Sequence, residues 1–133
     1  MLRQLALFTL VGAAGFLVDA GVLLLLAKLL GMNIYLARVL SWLAAATFTW
    51  RLNRTLTFAD RGRPLLRQWL MFLAANAGGG LINIGLSSGL IAARMAPVPA
   101  LACGALAGLL WNFLASRRFV FGKPARSHAP RAE

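Results

Sequence analysis

Acidic residues are scarce in this sequence: three Asp and Glu stand against 14 Lys and Arg in 133 residues. The chain also has only one cysteine and one histidine. This inventory supplies no carboxylate pair, no nucleophile beside a base, no phosphate-cradling glycine loop and no set of metal ligands. We therefore expect no enzymatic activity, no metal and no cofactor, and we interpret Cys103 as a small buried packing residue.

Charge of either sign is also rare along most of the chain. Only 13% of residues are charged while 60% are hydrophobic, and the mean hydropathy is +0.75. Such values are typical of membrane proteins rather than of water-soluble domains. Four nearly uncharged runs are long enough to cross a hydrocarbon core of about 30 Å. They cover residues 5–27, 34–52, 69–93 and 98–116.

The predicted fold is an all-α integral membrane domain over residues 1–121, made of four transmembrane helices. The second span is the least apolar of the four because Arg38 lies inside it. Pro97 and Pro99 indicate a tight turn between the third and fourth helices. The remaining residues, 122–133, are polar, basic and proline-containing, which predicts a disordered cytoplasmic tail with a solvated His128.

The cationic residues are unevenly distributed over the two sides of the predicted membrane domain. Eleven Lys and Arg lie near the two termini and in the middle loop, and the other three are Lys28, Arg38 and Arg94. The positive-inside rule then places both termini in the cytoplasm, as expected for a multi-pass protein of the bacterial inner membrane. Since the charges serve topology and contact anionic lipid headgroups, we expect membrane lipids and no nucleic acid as partners.

An internal repeat divides the membrane domain into two helical hairpins. Residues 2–21 and 66–85 are identical at eight of twenty positions, and the segment 53–58 aligns with 116–121. Because each unit contains two spans, both units enter the membrane in the same direction, which predicts parallel repeats. Glycines within the second unit indicate either close helix packing or a flexible, broken third helix at residues 78–80. The GxxxG spacings there are Gly85/Gly89 and Gly104/Gly108.

Five polar residues are predicted to lie at membrane depth, where they must face protein or a water-filled cavity. They are Asp19, Arg38, Asn76, Asn83 and Asn112. The second repeat has Asn83 in place of Asp19 and Leu101 in place of Arg38, so the two charges are lost together. This pattern predicts a buried ion pair between Asp19 and Arg38. The alternative is an Arg38 that reaches the outer surface and an Asp19 that is neutral or solvated in a cavity.

Arginines followed by aromatic residues close the second and fourth spans. We name this group the arginine rim; its members are Arg51, Asn53, Arg54, Arg117 and Arg118. Guanidinium groups bind phosphate in a bidentate manner, and aromatic side chains suit the level of the lipid headgroups. The rim is therefore a candidate binding site for a phosphate-containing headgroup, the alternative being a positively charged anchor that contacts any anionic lipid.

Several short motifs follow one another in a characteristic order: Phe-x-x-x-Gly at 8–12, Asp19, Leu-Ala-Arg at 36–38 and Asn-Arg-x-x-x-Phe at 53–58. A weaker echo occupies residues 112–121, with Ser116 where analogy with Asn53 suggests an asparagine. In this order, with four spans and this size, the sequence resembles the GtrA-like family from Arg3 to Phe121.

The resemblance implies a small four-span membrane protein that moves a polyprenyl-phosphate-linked sugar, such as undecaprenyl-phosphate-glucose, across the inner membrane for cell-surface polysaccharide synthesis. The expected partners are this lipid and a second copy of the chain, since four short helices offer little interior for a sugar. A membrane-associated glycosyltransferase is a further candidate partner.

Two other functions remain open at this point. One is a proton-coupled small multidrug transporter that uses Asp19, the only carboxylate inside the spans. The other is a structural protein that anchors or activates a glycosyltransferase without moving lipid itself.

Overall fold

A computed structural model describes residues 1–60 and 64–122, which form helices joined by short turns and no strand. Helix α1 covers Leu2–Leu24, α2 covers Ile34–Leu52, α3 covers Leu65–Ala92 and α4 covers Pro97–Ala115. The all-helical prediction is therefore confirmed for these residues. The predicted tail, apart from Gly122, and His128 lie outside the described residues.

Three of the four helices are long and apolar enough to cross a membrane. They cover Leu2–Leu29, Leu65–Ala92 and Pro97–Val120, where the first and last include the terminal turn, and they contain 18-residue stretches with mean hydropathies of 2.3, 1.4 and 1.7. The chain is therefore a multi-pass membrane protein. Helix α2 is less apolar, because it carries Arg38 near one end and Arg51 at the other.

Three helices end in a π-helical turn, in which each N–H bonds the carbonyl five residues earlier. These turns are Leu25–Leu29, Asn53–Thr57 and Ser116–Val120. After the second turn, Phe58 N donates to Asn53 O at 2.9 Å, and after the third, Phe121 N donates to Ser116 O at 2.8 Å. Helices α2 and α4 thus end in the same way, and both endings coincide with the segments that align in the sequence.

The helices pack chiefly as two antiparallel pairs, α1 with α2 and α3 with α4. Between α1 and α2 the chain turns at Gly31, whose φ of 62° is a left-handed conformation that glycine adopts without steric cost. Asn33 then caps α2 by accepting from Tyr35 N at 2.9 Å. Between α3 and α4, Pro97 is the first helical residue of α4 and Pro99 also lies in its first turn, so the prediction that both prolines lie in the connecting turn is wrong.

An aromatic cluster joins the two helix pairs at the end where α1 and α3 begin. We define it by its five rings, which are Phe8, Phe58, Phe72, Phe113 and Phe121. The Phe58 and Phe121 rings stack with centroids 4.7 Å apart and an interplanar angle of 13°. Phe72 is 1% exposed and Phe113 is 2% exposed, so the centre of the core lies here.

Glycines decide how closely α3 approaches α4. A Cβ at Gly104 would lie 2.5 Å from Asn83 O, and one at Gly108 would lie 2.7 Å from Gly79 O. By contrast, Gly85 and Gly89 are exposed and have no atom within 4 Å of a built Cβ. Helix α3 also runs unbroken through residues 78–80. The hypothesis of a break in the third helix is therefore wrong, and close packing explains the buried glycines. The prediction that Cys103 of α4 is buried is also wrong, since this residue is exposed beside Gly104.

We expect Gly108→Ala to destabilise the fold by about 1 to 3 kcal/mol, because its methyl group would press on a backbone oxygen that cannot rotate away. The matched controls are Gly85→Ala and Gly89→Ala on α3. They should leave stability unchanged or raise it by up to about 1 kcal/mol, since alanine is the better helix former. Unfolding titrations in mixed SDS micelles would measure these differences, and equal losses at all three positions would contradict the observed packing.

Candidate functional site

A cavity of about 280 Å³ lies between the two helix pairs, and residues from all four helices line it. Its walls include the aromatic residues Phe8, Phe16, Trp42 and Phe72. Its polar lining consists of Asp19, Thr49, Asn53, Asn76 and Asn112. The structure thus brings together three of the five polar residues predicted at membrane depth, along with Asn53 from the arginine rim. Thr49 was not predicted.

One end of the cavity is formed by Asp19, whose two carboxylate oxygens both accept hydrogen bonds. Arg38 Nη1 lies 2.5 Å from Asp19 Oδ2, and Ser41 Oγ donates to Asp19 Oδ1 at 2.7 Å. The predicted ion pair is therefore present. Its description as buried holds for Asp19, whose side chain is 15% exposed, but is wrong for Arg38, whose side chain is 57% exposed. The alternative, in which Arg38 reaches the outer surface and Asp19 is neutral or solvated in a cavity, is wrong in that Asp19 is paired, although Arg38 is exposed and Asp19 does line the cavity.

Two asparagines provide the polar groups of the other wall. Asn76 Nδ2 donates to Phe72 O at 2.9 Å within α3. Asn112 packs against Gly79, and its buried Oδ1 accepts no hydrogen bond within the described part of the chain. This oxygen has almost no accessible surface and faces the Gly79 backbone, so among the described residues it is left unpaired where α3 and α4 meet, at a cost of about 1 to 3 kcal/mol.

Asn83 does not line the cavity. It lies between α3 and α4 against Gly104, at the position that matches Asp19 in the sequence repeat. In the first helix pair the corresponding contact is the bond between Asp19 and Ser41. At this level α3 and α4 are therefore in tight contact, whereas α1 and α2 are joined by the side chains of an ion pair.

The arginine rim is divided between different surroundings. The Arg54 guanidinium donates to Gln68 Oε1, and Gln68 Nε2 in turn donates to Asp60 Oδ2 at 2.8 Å. Gln68 is fully buried. Asn53 is 1% exposed and accepts from Thr57 Oγ1 at 2.8 Å. Both rim residues thus make hydrogen bonds within the protein.

Gln68 was missed by the sequence analysis, which passed over uncharged residues near the helix ends. The signal that could have found it is its place in the Leu-Arg-Gln triplet that opens both repeats, at 2–4 and 66–68.

Arg117 and Arg118 are exposed and line a second cavity of about 580 Å³. Its lining residues come from α4 and the segment that follows it, so this cavity does not lie between the helix pairs. Trp111 and Phe119 form its aromatic walls. Arg51 is exposed at the end of α2, and its side chain does not line this cavity. Two guanidinium groups beside aromatic rings and Leu114 can bind a phosphate while an attached hydrocarbon chain contacts the apolar wall.

Comparison with known proteins places this arrangement in a family. The family profile described as "GtrA/DPMS, transmembrane domain" matches residues 7–121, which is most of the chain. The match includes α1 from residue 7, all of α2, α3 and α4, every residue that lines the first cavity and all but Gly122 of the second. No curated protein matches the sequence significantly.

A double-mutant cycle on Asp19 and Arg38 tests the geometry of the charged end of the cavity. We expect Asp19→Asn and Arg38→Leu each to destabilise the protein, because each leaves a polar or charged partner unpaired at membrane depth. The double variant should cost less than the sum, with a coupling energy of about 1 to 3 kcal/mol. Thermal unfolding in detergent measures it. Additive losses would mean that the two side chains do not interact.

Proposed function

Because the chain belongs to the GtrA/DPMS transmembrane family, whose members handle lipid-linked sugars, we propose that it is a flippase, or a flippase subunit, for a polyprenyl-phosphate-linked sugar. A lipid such as undecaprenyl-phosphate-glucose would cross the inner membrane for cell-surface polysaccharide synthesis. In this proposal the protein is not an enzyme and uses no cofactor. A second copy of the chain and a membrane-associated glycosyltransferase are its proposed protein partners.

The observation that carries the proposal is the cavity at membrane depth, whose mainly apolar lining includes five polar side chains. Sugar hydroxyls are costly to place in hydrocarbon, where nothing replaces their bonds to water. Amide and hydroxyl groups of Thr49, Asn76 and Asn112 can replace those bonds, and the Trp42 ring can contact the apolar face of a sugar. The only charged group among the lining residues is Asp19, and Arg38 balances its charge. This lining suits an uncharged polar group.

The second part of the proposal assigns the phosphate to the arginine rim. Arg117 and Arg118 would capture the carrier phosphate from the cytoplasmic leaflet, since their guanidinium groups are exposed beside Trp111 and Phe119. The sugar would then enter the cavity while the prenyl chain stays in lipid. Arg54, which is bonded to Gln68, would support the rim from within, and Arg51 would add positive charge at its edge.

The proposed topology has α2 as a fourth transmembrane helix, both termini in the cytoplasm and two parallel hairpin repeats. The matched π-helical turns at the ends of α2 and α4 support the repeat. So do the burial of Phe8 with Phe72 and of Ala37 with Ala100, pairs that align in the sequence. Arg38 could remain charged in such a helix because Asp19 lies beside it.

Cysteine labelling tests this topology. In a Cys103→Ala background, single cysteines at Arg94 and at Met32 should react with a membrane-impermeant maleimide added to intact spheroplasts, because both lie in turns at the proposed outer side. A cysteine at Ala59 should react only after permeabilisation. Labelling of Ala59→Cys in intact cells, or protection of both outer positions, would contradict the proposed orientation.

Reconstituted transport tests the function. Liposomes that contain only this protein should move labelled polyprenyl-phosphate sugar between leaflets, and Arg117→Gln/Arg118→Gln should slow this movement at least about tenfold, because charge-assisted bonds to phosphate are lost. The control is Arg94→Gln, an exposed arginine at the other end of the helices, which should transport normally.

A binding comparison separates loss of phosphate recognition from damage to the fold. The double rim variant should lose affinity for polyprenyl phosphate and keep its affinity for the uncharged prenol. Equal loss for both ligands would point to misfolding. Absence of transport by the wild-type protein would overturn a flippase that acts alone and leave the roles of flippase subunit and accessory protein.

A further inference from the structure

We propose a second phosphate-binding site at Arg38, at the opposite end of the cavity from the arginine rim. This inference rests on the proposed function. A lipid that crosses the membrane needs a binding site for its phosphate where it leaves the protein as well as one where it enters. The ligand is the anionic phosphate of the carrier lipid.

The position of Arg38 fits such a site. Asp19, its partner, lines one end of the cavity, and Asn53 lines the other. Arg38 and Asn53 are separated by fifteen residues of helix α2 and its terminal turn, which at 1.5 Å per residue is about 22 Å. This distance is comparable with most of the hydrocarbon thickness of a bilayer, about 30 Å. A phosphate bound at Arg38 would therefore be near the leaflet opposite to the rim.

The guanidinium group of Arg38 is available to a ligand. A single nitrogen, Nη1, is bonded to Asp19, and the side chain is 57% exposed. No further acceptor for Arg38 is found in residues 1–60 and 64–122. A guanidinium carries five N–H donors in a planar fork, so the edge that does not face Asp19 can receive two phosphate oxygens.

Packing alone does not require this charged pair. At the matching positions of the second helix pair, Asn83 packs directly against Gly104 and the residue that matches Arg38 is Leu101. Those helices approach closely without any charge. An ion pair in a low-dielectric environment gives little or no net stability over apolar packing. The Asp19–Arg38 ion pair occurs between α1 and α2 but has no counterpart between α3 and α4. Binding of a ligand therefore explains it better than folding does.

Asp19 limits the affinity of this site. Its carboxylate neutralises Arg38 and repels a second anion, while Ser41 holds it in place through a 2.7 Å bond. The expected consequence is a weak site from which phosphate leaves readily. Removing the carboxylate charge should strengthen phosphate binding, which is the reverse of the effect of removing the arginine.

The test is the binding of farnesyl phosphate to the full chain in phosphatidylcholine nanodiscs, in an Arg117→Gln/Arg118→Gln background that removes the exposed rim arginines of the second cavity. Asp19→Asn should tighten binding at least about threefold, because a nearby negative charge is lost. Asp19→Asn/Arg38→Leu, which copies the residues of the second helix pair, should weaken it at least about tenfold. Arg38→Lys should give an intermediate affinity, since it keeps the charge and loses the fork.

The control for general positive charge is Arg94→Gln, which should bind farnesyl phosphate as the background does. Unchanged or weaker binding by Asp19→Asn, or unchanged binding by the double variant, would overturn the site. All variants are compared as monodisperse fractions, and binding of farnesol reports on the intact apolar surface.

Competition identifies the source of the phosphate. Phosphatidylglycerol and inorganic phosphate should displace farnesyl phosphate only at much higher concentration, and displacement at equal concentration by either would overturn the assignment to a carrier lipid. The readout is binding and not transport. Arg38-dependent binding without transport would therefore refute the proposed function alone, whereas transport without Arg38-dependent binding would refute the second site alone.

Discussion

Helices in hydrocarbon gain little from burying apolar side chains against each other, because lipid offers the same surroundings; their association depends on close backbone approach and on polar contacts. Both means occur in each helix pair: Gly15 of α1 lies against Thr49 of α2, and Trp111 Nε1 of α4 donates to Ala75 O of α3 at 3.1 Å. Between α3 and α4, Gly104 and Gly108 let the backbones touch. Between α1 and α2, the Asp19, Arg38 and Ser41 side chains bond to each other at membrane depth.

The two pairs differ at the level of Asp19 and Asn83, and this difference has a consequence for the cavity. Glycine contacts close the second helix pair at the level of Asn83, so nothing polar from that level faces the interior. The first pair leaves Asp19 at the same level lining open space. The two pairs share their ends, with matched π-helical turns and matched phenylalanines, while their middles have diverged. At this level only the first pair presents a polar side chain to the cavity, whereas nearer the aromatic cluster both pairs do, with Thr49 from the first and Asn76 and Asn112 from the second.

Long apolar runs predict the helices well, since hydrocarbon thickness sets both their length and their composition. The bounds of α2 agree with the prediction of 34–52, whereas α3 begins at Leu65 rather than at 69 because a helix continues through a polar residue such as Gln68. The Asp19–Arg38 pair could be predicted because a charge at membrane depth needs a partner and the repeat lacks both. The hydrogen bonds of Ser41 and Gln68 could not be predicted from the sequence. An uncharged polar side chain can bond to many partners, and the rotation of its helix decides which of them it meets.

The stacked rings of Phe58 and Phe121 come one from each helix pair, so the pairs cannot slide or tilt relative to each other without parting them. An aromatic contact of this kind contributes about 0.5 to 1.5 kcal/mol beyond the area it buries, which is only about one to three times the thermal energy at room temperature. The same seam also holds the Phe8–Phe113 ring contact and the Arg54–Gln68 hydrogen bond, so the two helix pairs separate at this end only when several contacts of this size break together.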